Sequence, residues 1–408
     1  MRFLTTLFSL LIVSLSVRAQ LGFTLTNNRH RVEIPIEICS NLIIIPLVLN
    51  NALPLKFILD TGVRTTILTD KSLGEILNLN YIRQYSIAGV GNEKNVEAFV
   101  ANNVIIDLAG VHGTGHAILV LAEDYLQLRN YLGMDVHGIL GYELFSRFVI
   151  EINYEQKKLT LTLPKYYKPR KSFTAFDIEV KDTKPYICVP IELRAGSIIE
   201  AKLLLDTGAS HGLLLEPNSD GPIFVPEKNM SSIIGRGLGG TISGKIGRIN
   251  SIILGKYKFE DVITSFPNPD SYSDSSVVNR NLRQGTLGGE ILSRFTTVYN
   301  MPEQKLYIKK NSTIRRKFNY DMSGLTIKAS GTNLRRYNVS DIREDSGAAK
   351  VGIQIGDELI SINGLLAKEL DLTTINGYFN TKPKKQVRIV VLRNNQILKK
   401  TIILENPI

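Results

Sequence analysis

The sequence predicts a mainly β protein, with two homologous β-rich halves in tandem followed by a smaller α+β module. Three observations lead there. Phe57-Ile58-Leu59-Asp60-Thr61-Gly62 recurs 146 residues later as Leu203-Leu204-Leu205-Asp206-Thr207-Gly208, each triplet closing an apolar run of strand character. Short runs rich in Val, Ile, Leu, Phe and Thr alternate with Gly, Asn and Pro breaks throughout residues 20–308. The pattern then changes, because Ser346-Gly347-Ala348-Ala349 reads as a capped helical turn followed by a strand and an Asn363-Gly364 hairpin turn.

Residues 1–19 read as a secretory signal peptide. Arg2 supplies the positive charge, Phe3 to Val17 is almost wholly apolar, and Val17-Arg18-Ala19 ends in small residues suited to cleavage. The apolar run is shorter than the roughly 20 residues a spanning helix needs. The expectation is therefore export to the periplasm, cell surface or medium, with no integral span after the leader is removed. The first half occupies 20–163 and the second 172–308. Between them, Pro164 to Lys171 is the expected connector, and the basic stretch from Lys309 to Lys317 is expected to lead into a module at 318–405.

The duplication extends beyond the triplets. Gly89 lies 29 residues after Asp60, and Gly235 lies 29 after Asp206. Gly138-Ile139-Leu140-Gly141-Tyr142-Glu143 is echoed by Gly285-Thr286-Leu287-Gly288-Gly289-Glu290, with short helices expected from Glu143 to Phe148 and from Glu290 to Phe295. A period this long marks two homologous lobes, not a solenoid.

The formal charge of +11 is local. Residues 20–308 hold 29 basic and 29 acidic side chains, whereas residues 309–408 hold 18 and 9. With no aromatic-interleaved basic stripe, nucleic acid is not an expected partner. Cys39 and Cys188, the only cysteines, fall at unmatched repeat positions and are expected as two buried free thiols. His112 and His116 have the spacing of metal ligands on a helix, but Gly113 and Gly115 argue against a helix there, so no metal is expected. Gly235-Arg236-Gly237-Leu238-Gly239-Gly240 matches a dinucleotide fingerprint in letters only, because a strand follows where a helix is required. No cofactor is implied, and no Gly-x-Ser-x-Gly elbow supports covalent catalysis.

Two carboxyls held a few ångströms apart cannot both ionise. One keeps the proton as acid while the other serves as base, which is what metal-free activation of water on a peptide bond requires. Each triplet residue has a task. Gly62 and Gly208 permit a sharp turn with a backbone N–H beside the carboxylate. Thr61 and Thr207 offer hydroxyls to bond between the two loops.

On these residues, with Ile139-Leu140-Gly141 and Thr286-Leu287-Gly288, the chain over roughly 30–308 resembles a tandem retropepsin-like aspartic protease. The resemblance implies two pepsin-like β-barrel lobes, each giving one catalytic aspartate, Asp60 and Asp206. Thr61, Gly62, Thr207, Gly208 and Ser210 would support the site. Flap hairpins would lie at 87–99 and 233–249, carrying Gly89, Gly91, Gly235 and Gly237. The implied substrate is a peptide or protein, and because both aspartates lie in one chain a monomer suffices. The first copy departs from the family form, reading Asp60-Thr61-Gly62-Val63-Arg64 where Asp206-Thr207-Gly208-Ala209-Ser210 keeps it. Val63 has no side-chain donor, so the alternative reading is a catalytically lapsed peptide-binding adaptor.

Residues Ser346 to Gly364 resemble a PDZ domain. That resemblance implies a ligand tail added as a strand at a sheet edge, with its terminal carboxylate held by the loop Ser323-Gly324-Leu325-Thr326. The alternative is a structural cap whose groove is filled by its own chain.

Overall fold

A computed structural model describes residues 21–87, 91, 96–217, 221–269 and 283–408. Residues 1–20, which carry the expected leader, lie outside the described residues, as does Gly89. The fold is mainly β, in four sheets.

The first sheet takes its strands from residues 22–140. Strand Leu53–Leu59 runs antiparallel to Leu42–Leu49 and parallel to Gly138–Leu140, whose middle and last residues face Ile58 and Leu59. The third sheet repeats this arrangement between residues 179 and 287. Ser197–Leu205 runs antiparallel to Lys184–Arg194 and parallel to Gly285–Leu287. In each sheet the pairings also run around a ring of six strands, because Val96–Leu108 pairs with Val111–Leu121 in one and Lys184–Arg194 pairs with Gly240–Leu254 in the other.

The second sheet joins the halves. Arg31–Pro35, Val149–Asn153 and Lys158–Thr162 come from the first half, and Thr174–Asp177, Phe295–Asn300 and Lys305–Lys310 from the second. They meet where Val149–Asn153 pairs antiparallel with Phe295–Asn300. Arg31–Pro35 alternates exposed and buried residues, the pattern of a strand with one wet face. One apolar core runs from Phe23 to Phe318 through both halves. A separate core, from Met322 to Leu404, fills the last module under its own sheet.

The local signals for that module have clear structural counterparts. Ser346 caps the helix Gly347–Lys350 by accepting from the Ala349 N–H at 3.3 Å. Asn363 and Gly364, both at positive φ, turn Glu358–Ile362 into Leu365–Leu366. Asp357 is buried and held by Arg393, Nε at 2.6 Å and Nη2 at 2.7 Å, an interlock that sequence reasoning missed.

Several expectations need correction. The helices are Tyr142–Arg147 and Gly289–Leu292, so the second is shorter than expected because strand Phe295–Asn300 begins where it would continue. Strand Lys305–Lys310 runs into the stretch assigned to the second linker, where its pairing with Phe295–Asn300 extends it. Both cysteines are free and Cys39 is buried, but Cys188 is exposed, because strand alternation turns Ile187 and Val189 inward and Cys188 out. His112 and His116, expected as turn or surface residues, both lie on strand Val111–Leu121. His112 is exposed beside Asp107, while His116 is buried with Nδ1 2.8 Å from Glu143. Among the described residues no group of side chains is placed to hold a metal ion, and no helix is long and apolar enough to cross a membrane.

Candidate functional site

Asp60 and Asp206 each follow directly on a central strand. The Asp60 N–H bonds to the Leu140 carbonyl at 2.9 Å, and the Asp206 N–H to the Leu287 carbonyl at 3.0 Å. The apolar segments noted in sequence thus anchor both triplets in the same way.

The two loops interlock through their threonines. Thr61 Oγ1 donates to the Leu205 carbonyl at 2.6 Å and accepts the Thr207 N–H at 3.0 Å. Thr207 Oγ1 reciprocates, donating to the Leu59 carbonyl at 2.8 Å and accepting the Thr61 N–H at 3.1 Å. All four bonds cross between the halves, and both threonines are buried.

The interlock brings the carboxyls together. Gly62 N–H donates to Asp60 Oδ1 at 2.5 Å, and Gly208 N–H donates to Asp206 Oδ1 at 2.9 Å. A Cβ on Gly208 would stand 2.1 Å from Asp60 Oδ2, so no larger residue fits there. A Cβ on Gly62 would meet Asp60 Oδ1 at 3.1 Å and Asp206 Oδ2 at 3.3 Å. The two carboxyls thus stand side by side, close enough for a single Cβ on Gly62 to meet both. Burial first, and then the charge of Asp206, hold the Asp60 carboxyl well above the usual carboxylate range, while the N–H groups of Gly62 and Val63 pull the other way.

The departures in the first triplet have a concrete outcome. The Val63 backbone N–H helps to lower the Asp60 pKa although its side chain cannot, and Arg64 is exposed. Ser210 lies at the surface, where its carbonyl accepts from Asn41 Nδ2 at 3.1 Å and it lines a polar cavity of about 730 Å³. The Asn41 bond is a further tie between the halves.

Gly235 and Gly237 lie on a long hairpin, Asn229–Gly237 paired with Gly240–Leu254. Gly91 stands between strands Tyr81–Ile87 and Val96–Leu108, and a Cβ there would fall 2.2 Å from the Gly239 carbonyl oxygen. Gly91 therefore lies against the turn of the second hairpin. Arg236 fixes the second one, donating through Nε to the Tyr125 carbonyl at 3.1 Å and through Nη1 to Tyr131 Oη at 3.3 Å.

Ser323, Gly324, Leu325 and Thr326 precede and begin the edge strand Leu325–Ser330 of the last sheet. Ser323 and Gly324 are engaged by Asp321, whose Oδ1 accepts the Gly324 N–H at 2.6 Å. Helix Leu128–Leu132 of the first half lies against this edge strand. Asn130 Nδ2 donates to the Ala329 carbonyl at 2.8 Å, and Lys328 Nζ to Gln127 Oε1 at 2.8 Å.

Sequence reasoning missed three groups around the dyad. His211, five residues after Asp206, has a buried Nε2 without a hydrogen-bond partner, and burial lowers its pKa to about 4. Arg283 pairs with Glu216 at 3.1 Å close to His211. Lys184, at the start of its strand, feels the charges of both aspartates.

No family model matches the chain, and no curated protein matches it. Among solved structures it is similar to a photosystem II D1 C-terminal processing protease at 18% identity, with a TM-score of 0.20. The likeness covers 21% of this chain and 23% of that one, and at that score it carries no argument about fold or activity.

Proposed function

We propose that this chain is an aspartic-type endopeptidase with two retropepsin-like lobes, in which Asp60 and Asp206 activate water against a peptide bond. The observation that carries the reading is the close approach of two buried carboxyls, one from each half, locked by the reciprocal Thr61 and Thr207 bonds. One shared proton supplies the acid and the base at once. The six-strand rings of pairing and the approach of Gly91 to the second hairpin at Gly239 suit lobes that enclose an extended peptide. Val63 and Arg64 weigh less for a lapsed site, since the Val63 N–H faces Asp60 and Arg64 points to solvent. Both aspartates belong to one chain, so a monomer is sufficient.

The last module is proposed as a PDZ domain, and the apolar leader at 1–19 supports export. The loop at Ser323 to Thr326 and the edge strand Leu325–Ser330 would take a ligand tail, but helix Leu128–Leu132 already takes the Ala329 carbonyl. A peptide added along that edge must displace the helix, so self-capping describes the resting state.

The test is incubation of the purified chain with an unfolded protein, with new termini read by mass spectrometry, in the presence of a metal chelator and of serine- and cysteine-directed reagents. The expected result is cleavage that persists under all three. Absence of cleavage, or its loss on chelation, would sink the reading.

A further inference from the structure

Lys184 opens strand Lys184–Arg194, whose antiparallel neighbour Ser197–Leu205 leads into Asp206. The register Tyr186↔Leu204, continued by two residues, sets Lys184 opposite Asp206. In the first half the register Ile44↔Ile58, continued in the same way, sets Leu42 opposite Asp60. The hairpins leading into these positions also correspond. Cys39 pairs with Leu42 and Lys181 with Lys184, and both turns hold two residues at positive φ, Ser40 and Asn41 in one and Asp182 and Thr183 in the other.

The two halves thus place different chemistry at the same point. Leu42 is buried in an apolar cluster with Ile44, Ile58 and Val136. Lys184 is half-buried and makes no ion pair among the described residues. The charges near it are Arg283, Asp206, Asp60 and Asp182, and Arg283 is already matched by Glu216. A half-buried ammonium has lost part of its hydration and is stabilised by an acidic partner. The dyad, holding one negative charge between two carboxyls, leaves room for another.

We propose that Lys184 is a specificity-determining residue, which draws an acidic side chain of a bound peptide to the second half's side of the dyad. This rests on the peptidase reading and adds the class of substrate. The first half, with Leu42 at the matching position, has no such preference, so the selectivity is one-sided.

The experiment uses the full chain and peptides that differ at one residue, Glu, Gln or Lys, placed in turn at each position flanking the cleaved bond. On one side only, wild type favours Glu over Lys by about tenfold in kcat/KM, which corresponds to about 1.4 kcal/mol, and the difference lies mainly in KM. Lys184→Leu, which copies the first half, brings the ratio to about one, and Lys184→Glu reverses it, with circular dichroism confirming that both variants fold. An unchanged ratio in all three proteins, or no ratio in wild type, overturns the proposal. If wild type cleaves none of the peptides, the peptidase reading fails separately. Fluorescence anisotropy with the same labelled peptides then decides the selectivity, with reversal by Lys184→Glu supporting it and equal affinities overturning it.

Discussion

Asp60→Asn and Asp206→Asn each lower kcat/KM on an unfolded protein by about 10³-fold or more, the scale expected when an acid or base is removed from a concerted proton transfer. Asparagine keeps the volume and the backbone N–H bonds from Gly62 and Gly208 but cannot share a proton. The loss falls on turnover and leaves the fold intact. Thermal denaturation separates the two, and the sign for Asp60 follows from its burial. Its folded pKa stands above the ordinary 3.8, so the native chain holds that proton more tightly than the unfolded chain. The stabilising contribution is full below 3.8 and is lost as pH rises through the raised value. Asp60→Asn removes that slope, and at neutral pH the variant is at least as stable as wild type. Equal cleavage by wild type and both variants would end the enzyme reading.

Thr61→Val and Thr207→Val test the interlock. Valine matches threonine in shape but lacks the hydroxyl. Thr61→Val deprives the Thr207 N–H and the Leu205 carbonyl of their partner, and Thr207→Val does the same to the Thr61 N–H and the Leu59 carbonyl. A buried polar group left without a partner costs about 1–3 kcal/mol, so each variant loses about 3 kcal/mol of stability, read from denaturant titration. Because the four bonds form one network, the double variant loses less than the sum of the singles. Activity falls with them, since the bonds set the distance between the carboxyls. Single variants as stable and active as wild type would show the interlock to be dispensable.

Much of the architecture was legible because it was written twice. One Asp-Thr-Gly triplet says little, but two at matched distances from a Gly-rich turn and an apolar-Gly segment require two similar halves, and the carboxyls, threonines and glycines follow from that symmetry. What escaped was what breaks the symmetry or depends on distant partners. Lys184 carries no local signal. It stands out only when the hairpin before Asp206 is aligned with the one before Asp60, where a lysine meets a leucine. His116 sits on a strand despite Gly113 and Gly115 before it because pairing with Val96–Leu108 overrides local propensity. The cover of helix Leu128–Leu132 over the last module's edge joins residues about 200 apart, and no pattern in either segment announces it.

The most direct test of the account is carbonyl-detected NMR titration of the chain labelled with ¹³C at the aspartate carboxyls. Asp60 is expected to stay protonated at pH values where exposed aspartates have ionised, and Asp206→Asn is expected to change its titration because the proton is shared. Two carboxyls titrating independently near the ordinary aspartate value, each indifferent to replacement of the other, would contradict it.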